Sequence, residues 1–131
     1  MKSKDINKHI DDSPNRNDNP KKSYRIDIDG TICSLEFYKT KEGKNDNYET
    51  LAKQFYVRIA HYNKLNEECN EIHYWTARGT STENFEEKLK LTKKQLKAWG
   101  VKYTTLKVGK PAYDVWIDDK AWNVNNYFGD R

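Results

Sequence analysis

Acids recur in this chain where β-forming runs stop. Asp27 and Asp29 stand at the end of Tyr24–Ile28, and Asp118 and Asp119 follow Tyr113–Ile117. Between them, Thr76, Ala77 and Arg78 follow Glu71–Trp75. If these runs are parallel strands of one open sheet, their ends share the edge at which ligands bind, and four carboxylates meet there. Two full charges ~4 Å apart repel by roughly 4 kcal/mol at an effective dielectric of about 20, so the group needs protons or a cation. Oxygen ligands favour Mg²⁺, which accepts a few carboxylates and leaves its other positions to water and phosphate. Lys110, in the loop Gly109-Lys110-Pro111, brings an ammonium to the same edge. With the Thr76 hydroxyl and the loop amides around Ala77 and Arg78, it makes a phosphate seat.

The elements that must position these groups are legible in outline. Tyr24–Ile28 predicts a first strand that stops at Asp29-Gly30-Thr31, and Cys33–Asn47 predicts a flap over the site. Leu51, Phe55, Ile59, Tyr62 and Leu65 fall on one stripe of a helix over 48–66, with Asp46 or Asn47 as its cap and Glu49 in the first turn. Glu71–Trp75 predicts a second strand. Thr80 and Glu83 offer a capping box, and Phe85, Leu89, Leu96 and Trp99 a helical stripe that Gly100 terminates. Val101–Val108 and Tyr113–Ile117 predict the third and fourth strands. The fold class is therefore α/β: a Rossmann-like, mostly parallel sheet with flanking helices.

Four segments in this order carry a family resemblance: Arg25-Ile26-Asp27-Ile28-Asp29-Gly30-Thr31, Trp75-Thr76-Ala77-Arg78-Gly79, Gly109-Lys110-Pro111 and Trp116-Ile117-Asp118-Asp119. Together they resemble the four-motif signature of the haloacid dehalogenase-like (HAD) superfamily of phosphohydrolases. The likeness covers about residues 23–128 and is nearest to small, capless sugar-phosphatase-like members associated with capsule and surface-polysaccharide biosynthesis. It implies a HAD-like core without a sizeable cap domain. Asp27 would be the nucleophile that forms an aspartyl-phosphate. Asp29 would protonate the leaving oxygen and then deprotonate the attacking water. The resemblance further implies Mg²⁺ held by the Asp27 carboxylate, the Asp29 backbone carbonyl and Asp118, with Asp119 nearby as a second acid ligand or water anchor. Thr76 and Lys110 would grip the phosphoryl oxygens, with Ala77 and Arg78 in the same loop. Lys110 stands close before Asp118, and Lys107 is the substitute phosphate lysine. An acid at position 29 favours phosphatase chemistry, and the missing cap disfavours a phosphomutase.

The expected function is Mg²⁺-dependent hydrolysis of a small phosphorylated metabolite, foremost a sugar phosphate. The alternatives are a polynucleotide 3′-end or protein phosphatase and a non-catalytic HAD-like binding protein. Nucleic acid is disfavoured by the charge balance: of the net +4, the tail Met1–Ser23 contributes +2, from six Lys/Arg against four Asp. A neighbouring subunit that covers the open site is the expected protein partner.

Length and composition bound the remainder. A chain of 131 residues suits one domain. The mean hydropathy of −1.14 is polar, and residues 1–22 read as a disordered tail. No apolar run is long enough for a membrane span, and Met1–Asp12 lacks the greasy centre of a signal peptide, so a cytoplasmic, soluble protein is expected. Cys33 and Cys69 read as two buried thiols rather than a disulfide or metal framework. His73 reads as a packed histidine, and His61 and His9 as bystanders. Trp99, Trp116 and Trp122 read as core or core edge, while Phe37 and Tyr38 in the flap are candidates to touch substrate.

Overall fold

The computed structural model describes residues 21–36, 48–80 and 85–129. Three short strands, β1 (Ser23–Ile26), β2 (Glu71–Trp75) and β3 (Thr105–Lys107), pair in parallel in the order β1-β2-β3. Ser23 to Ile26 lie opposite Glu71 to Tyr74, and His73 to Trp75 lie opposite Thr105 to Lys107. Parallel neighbours need long crossovers. These contain α1 (Tyr56–Glu67) between β1 and β2, and α2 (Phe85–Ala98) between β2 and β3. A short α3 (Val124–Phe128) follows. The architecture is α/β with an open parallel sheet and helices, compatible with a Rossmann-like fold.

The central strand β2 is buried from Glu71 to Tyr74, as expected for a strand flanked on both sides. Ile72 and Tyr74 enter a core with Ile26, Ile28 and Ile32, which Ile59 and Tyr62 of α1 and Leu96 of α2 complete. His73 is satisfied between Glu71 (Nε2 to Oε1, 2.8 Å) and Thr105 (Nδ1 to Oγ1, 2.6 Å), the packed role expected for it.

Local expectation and structure part company in several places. The helix expected over 48–66 is split into a 3₁₀ turn, Tyr48–Leu51, and α1. Between them the chain is pulled extended by the loop after β1: Phe55 N–H donates to the Ile32 carbonyl (2.8 Å) and Ser34 N–H to the Lys53 carbonyl (2.9 Å). Long-range pairing there wins over helical propensity. Asp46 and Asn47, the expected caps, lie outside the described residues, as do the tail up to residue 20, His9, most of the flap with Phe37 and Tyr38, and Glu83. Thr80 spends its hydroxyl on the Lys110 carbonyl (2.6 Å). On α2 the buried face is Lys88, Thr92 and Leu96, while Phe85 is exposed, because polar partners wait for Lys88 and Thr92 in the folded protein.

The fourth strand does not form. Residues 113–117 are exposed and carry no strand, and Ile117 is 92% exposed. Only Val108–Ala112 separates them from β3, too little chain for a crossover that would lay them parallel in the sheet. Trp116 and Trp122 are accordingly exposed instead of core, although Trp99 does pack against the core. Cys33 is buried as expected. Cys69 is exposed, in a turn at φ +74, which corrects the expectation of two buried thiols.

Candidate active site

β1 delivers Asp27 at its C-terminal end, and β2, one strand over, delivers Thr76. Thr76 is buried: its N–H donates to the Lys107 carbonyl (2.9 Å), and its own carbonyl accepts from Lys110 N–H (2.9 Å). This ladder beyond β3 fixes Lys110, whose Nζ comes 3.2 Å from Asp27 Oδ1. Gly109, at φ +79, makes the bend that precedes it, with Phe85 Cε2 3.2 Å from where a Cβ would stand. Burial raises the Asp27 pKa above the usual carboxylate value; the Lys110 ammonium and the Ile28 amide oppose the rise. Asp27 and Lys110 thus pair at the carboxyl edge of the sheet, with Lys110 fixed by the Thr76 backbone, while the buried Thr76 hydroxyl accepts from Arg78 N–H (3.2 Å). Lys107, the substitute, sits at the exposed end of β3 with its Nζ 5.3 Å from the centre of the Trp75 ring.

Asp29 follows a different course. The turn after Ile28 closes through Ile32 N–H to the Ile28 carbonyl (2.9 Å), and Gly30 at φ +84 supplies its left-handed residue. Within it both Asp29 oxygens are held by the Arg78 fork: Nε to Oδ2 at 2.9 Å and an Nη to Oδ1 at 2.8 Å. The other Nη donates to Thr92 Oγ1 (3.1 Å) and Gln95 Oε1 (2.7 Å) on α2. Arg78 is 2% exposed. Burial by itself would lower its pKa, and the Asp29 carboxylate more than offsets this, so the guanidinium is held charged. Arg78 therefore seats Asp29 on α2 instead of lining an open phosphate seat; Ala77 beside it is exposed. Cys33 Sγ donates to Asp29 Oδ1 (3.5 Å), and burial followed by the neighbouring Asp29 charge pushes the thiol pKa up.

Asp118 and Asp119 are not brought to this edge. Both lie in the exposed stretch after β3, where Asp118 Oδ1 accepts from Lys120 N–H (2.7 Å), the bond that chiefly lowers its pKa. Among the described residues no three His, Cys, Asp or Glu side chains form a group able to hold a metal ion. The magnesium cage expected of Asp27, Asp29, Asp118 and Asp119 does not fit this arrangement: Asp27 faces an ammonium, Asp29 a guanidinium, and the other two face solvent.

The sequence pattern does not single out Thr92 and Gln95 as partners of Arg78, nor the contact of the Cys33 thiol with Asp29. Lys88, Thr92 and Gln95 do recur at helical spacing, a polar row whose partners only the fold reveals. Another member of this network is Glu49, buried with Lys88 Nζ at 2.8 Å from its Oε1, while its carbonyl accepts from Gln95 Nε2 (2.5 Å). Among the described residues no helix is long and apolar enough to cross a membrane. Comparison of the chain with protein-family models, with curated proteins and with solved structures finds no match.

Proposed function

We propose that this chain is a phosphomonoester hydrolase with a HAD-like core, acting through an aspartyl-phosphate on a small phosphorylated metabolite, foremost a sugar phosphate. One observation carries the reading: Asp27 and Lys110, far apart in sequence, pair at the carboxyl edge of a parallel sheet with Lys110 Nζ 3.2 Å from Asp27 Oδ1. A carboxylate beside a buried ammonium is the pairing that an attack on a phosphate dianion requires, since the cation offsets the repulsion between nucleophile and substrate. An Asp27 oxygen attacks phosphorus while the ester oxygen departs with its bonding electrons. Water then attacks the aspartyl-phosphate, gives up a proton, and restores the Asp27 carboxylate. The resemblance assigns both proton transfers to Asp29; with both its oxygens held by the Arg78 fork, Asp29 would have to give up one of these bonds and take up a proton to serve as that acid.

The four motifs ask for Mg²⁺, and the carboxylates as placed do not cage it, so no step is routed through the ion. The assay carries it as a variable. Purified protein is given p-nitrophenyl phosphate and a panel of sugar phosphates, with Mg²⁺ and with EDTA. Phosphate release that Asp27→Asn abolishes supports the reading; release that survives this substitution removes it. Loss of release in EDTA would show that the reaction needs a divalent cation.

A phosphate-binding protein without turnover is the competing reading, and the Arg78 fork on both Asp29 oxygens favours it. Calorimetric binding of inorganic phosphate with no ester cleaved anywhere in the panel would decide for that reading.

A further inference from the structure

Beside the Asp27–Lys110 pair stands a row of rings that the phosphoryl chemistry leaves unused. Lys110 Nζ, 3.2 Å from Asp27, is also 5.7 Å from the centre of the Tyr113 ring. From Tyr113 the ring centres step 4.9 Å to Trp116, inclined at 60°, and from there 6.4 Å to Trp75, inclined at 88°. Lys107 Nζ stands over the far ring, Trp75. Tyr113 is 50% exposed and Trp116 46%, and neither belongs to the core cluster.

Half-exposed rings such as Tyr113 and Trp116 leave π surface open to a ligand. Such faces take up flat or apolar ring surfaces and cations, and a lysine at each end suits the row to an anion that carries a ring. Position adds direction. An ester whose phosphate lies at Asp27 and Lys110 carries an organic group beyond that phosphate, and the Tyr113 ring, 5.7 Å from Lys110 Nζ and followed by Trp116, stands beside this anchor.

We propose that Tyr113 and Trp116 form the leaving-group subsite, selecting phosphate monoesters whose leaving group is a ring with an open face. This inference takes its anchor from the phosphomonoester reading above. The ring chemistry is shared by pyranose phosphates, whose axial C–H bonds lie on a π face, and nucleoside monophosphates, whose bases stack on one.

The test compares kcat/KM for glucose 6-phosphate, adenosine 5′-monophosphate and the acyclic glycerol 3-phosphate in the native chain, Trp116→Ala and Trp116→Phe. Alongside it, calorimetry measures binding of the same esters to Asp27→Asn, with and without Trp116→Ala. The expected result is a preference for one ring ester of about tenfold over the acyclic one, lost in Trp116→Ala through a higher KM and restored in Trp116→Phe. Which ring ester is preferred tells pyranose from base. Equal use of ring and acyclic esters, or an Ala effect carried by kcat alone, overturns the subsite and leaves the hydrolase standing. Ring-ester binding that Trp116→Ala abolishes, with no ester ever cleaved, overturns the hydrolase and keeps the subsite. Neither binding nor cleavage overturns both.

Discussion

Asp27 and Lys110 set the acid side of any activity at this site. As the proposed nucleophile Asp27 must be ionised, and burial pushes its pKa up while Lys110 holds it down. Lys110→Met should therefore move the acid limb of the pH–rate profile to higher pH, besides raising KM for the phosphate dianion. Linkage has the same sign. A carboxyl whose pKa is raised on folding binds its proton more tightly in the folded protein, so stability falls as pH rises from the ordinary carboxylate value through the raised one. Asp27→Asn should flatten that slope in urea titrations taken across this range. Elsewhere in the core, the buried Tyr74 hydroxyl has no hydrogen-bond partner among the described residues, and burial raises its pKa. Removing an unsatisfied buried hydroxyl relieves a desolvation cost of about 1–3 kcal/mol at the expense of a small void. Tyr74→Phe should accordingly be neutral or raise the urea midpoint.

Among the elements, α2 does more than cover the sheet. Its buried face is polar: Lys88 reaches Glu49 in the 3₁₀ turn, and Thr92 and Gln95 hold the guanidinium that seats Asp29. Lys88→Met leaves the Glu49 carboxylate buried without its cation and should cost about 3–5 kcal/mol, read as a lower urea midpoint. The stretch after β3 gives the contrasting case. Ile117 is 92% exposed, so Ile117→Ser should change stability by no more than about 0.5 kcal/mol. Ile72→Ala in the centre of β2 should cost about 2–5 kcal/mol. A large loss in Ile117→Ser would mean that residues 113–117 are a sheet strand after all.

Across the whole molecule, parallel strands joined through helices bring residues from three loops to one edge. This architecture was legible in the chain because β-rich runs alternate with helical stripes. Glu71–Trp75 forms the strand expected of it, Gly100 ends its helix, and Asp27, Thr76 and Lys110 each stand where a strand-end reading puts them. After residue 122, Asn123 caps α3 by accepting from Asn125 N–H and Gly129 ends it at φ +75, a start and stop that local residue types specify. Other features depended on partners distant in sequence. The 3₁₀ break before α1 comes from the loop at Ile32–Ser34, the buried face of α2 from Glu49 and Arg78, and the open position of Asp118 from the short link after β3. Local patterning determined that Glu71–Trp75 forms a strand and that Gly100 ends α2, because those preferences act between near neighbours; it did not settle residues 113–117, whose strand pattern finds no place in the sheet. Folding in three dimensions decided that Arg78 grips Asp29 rather than a phosphate and that Tyr113 and Trp116 face water, because charge pairing and burial depend on which surfaces meet.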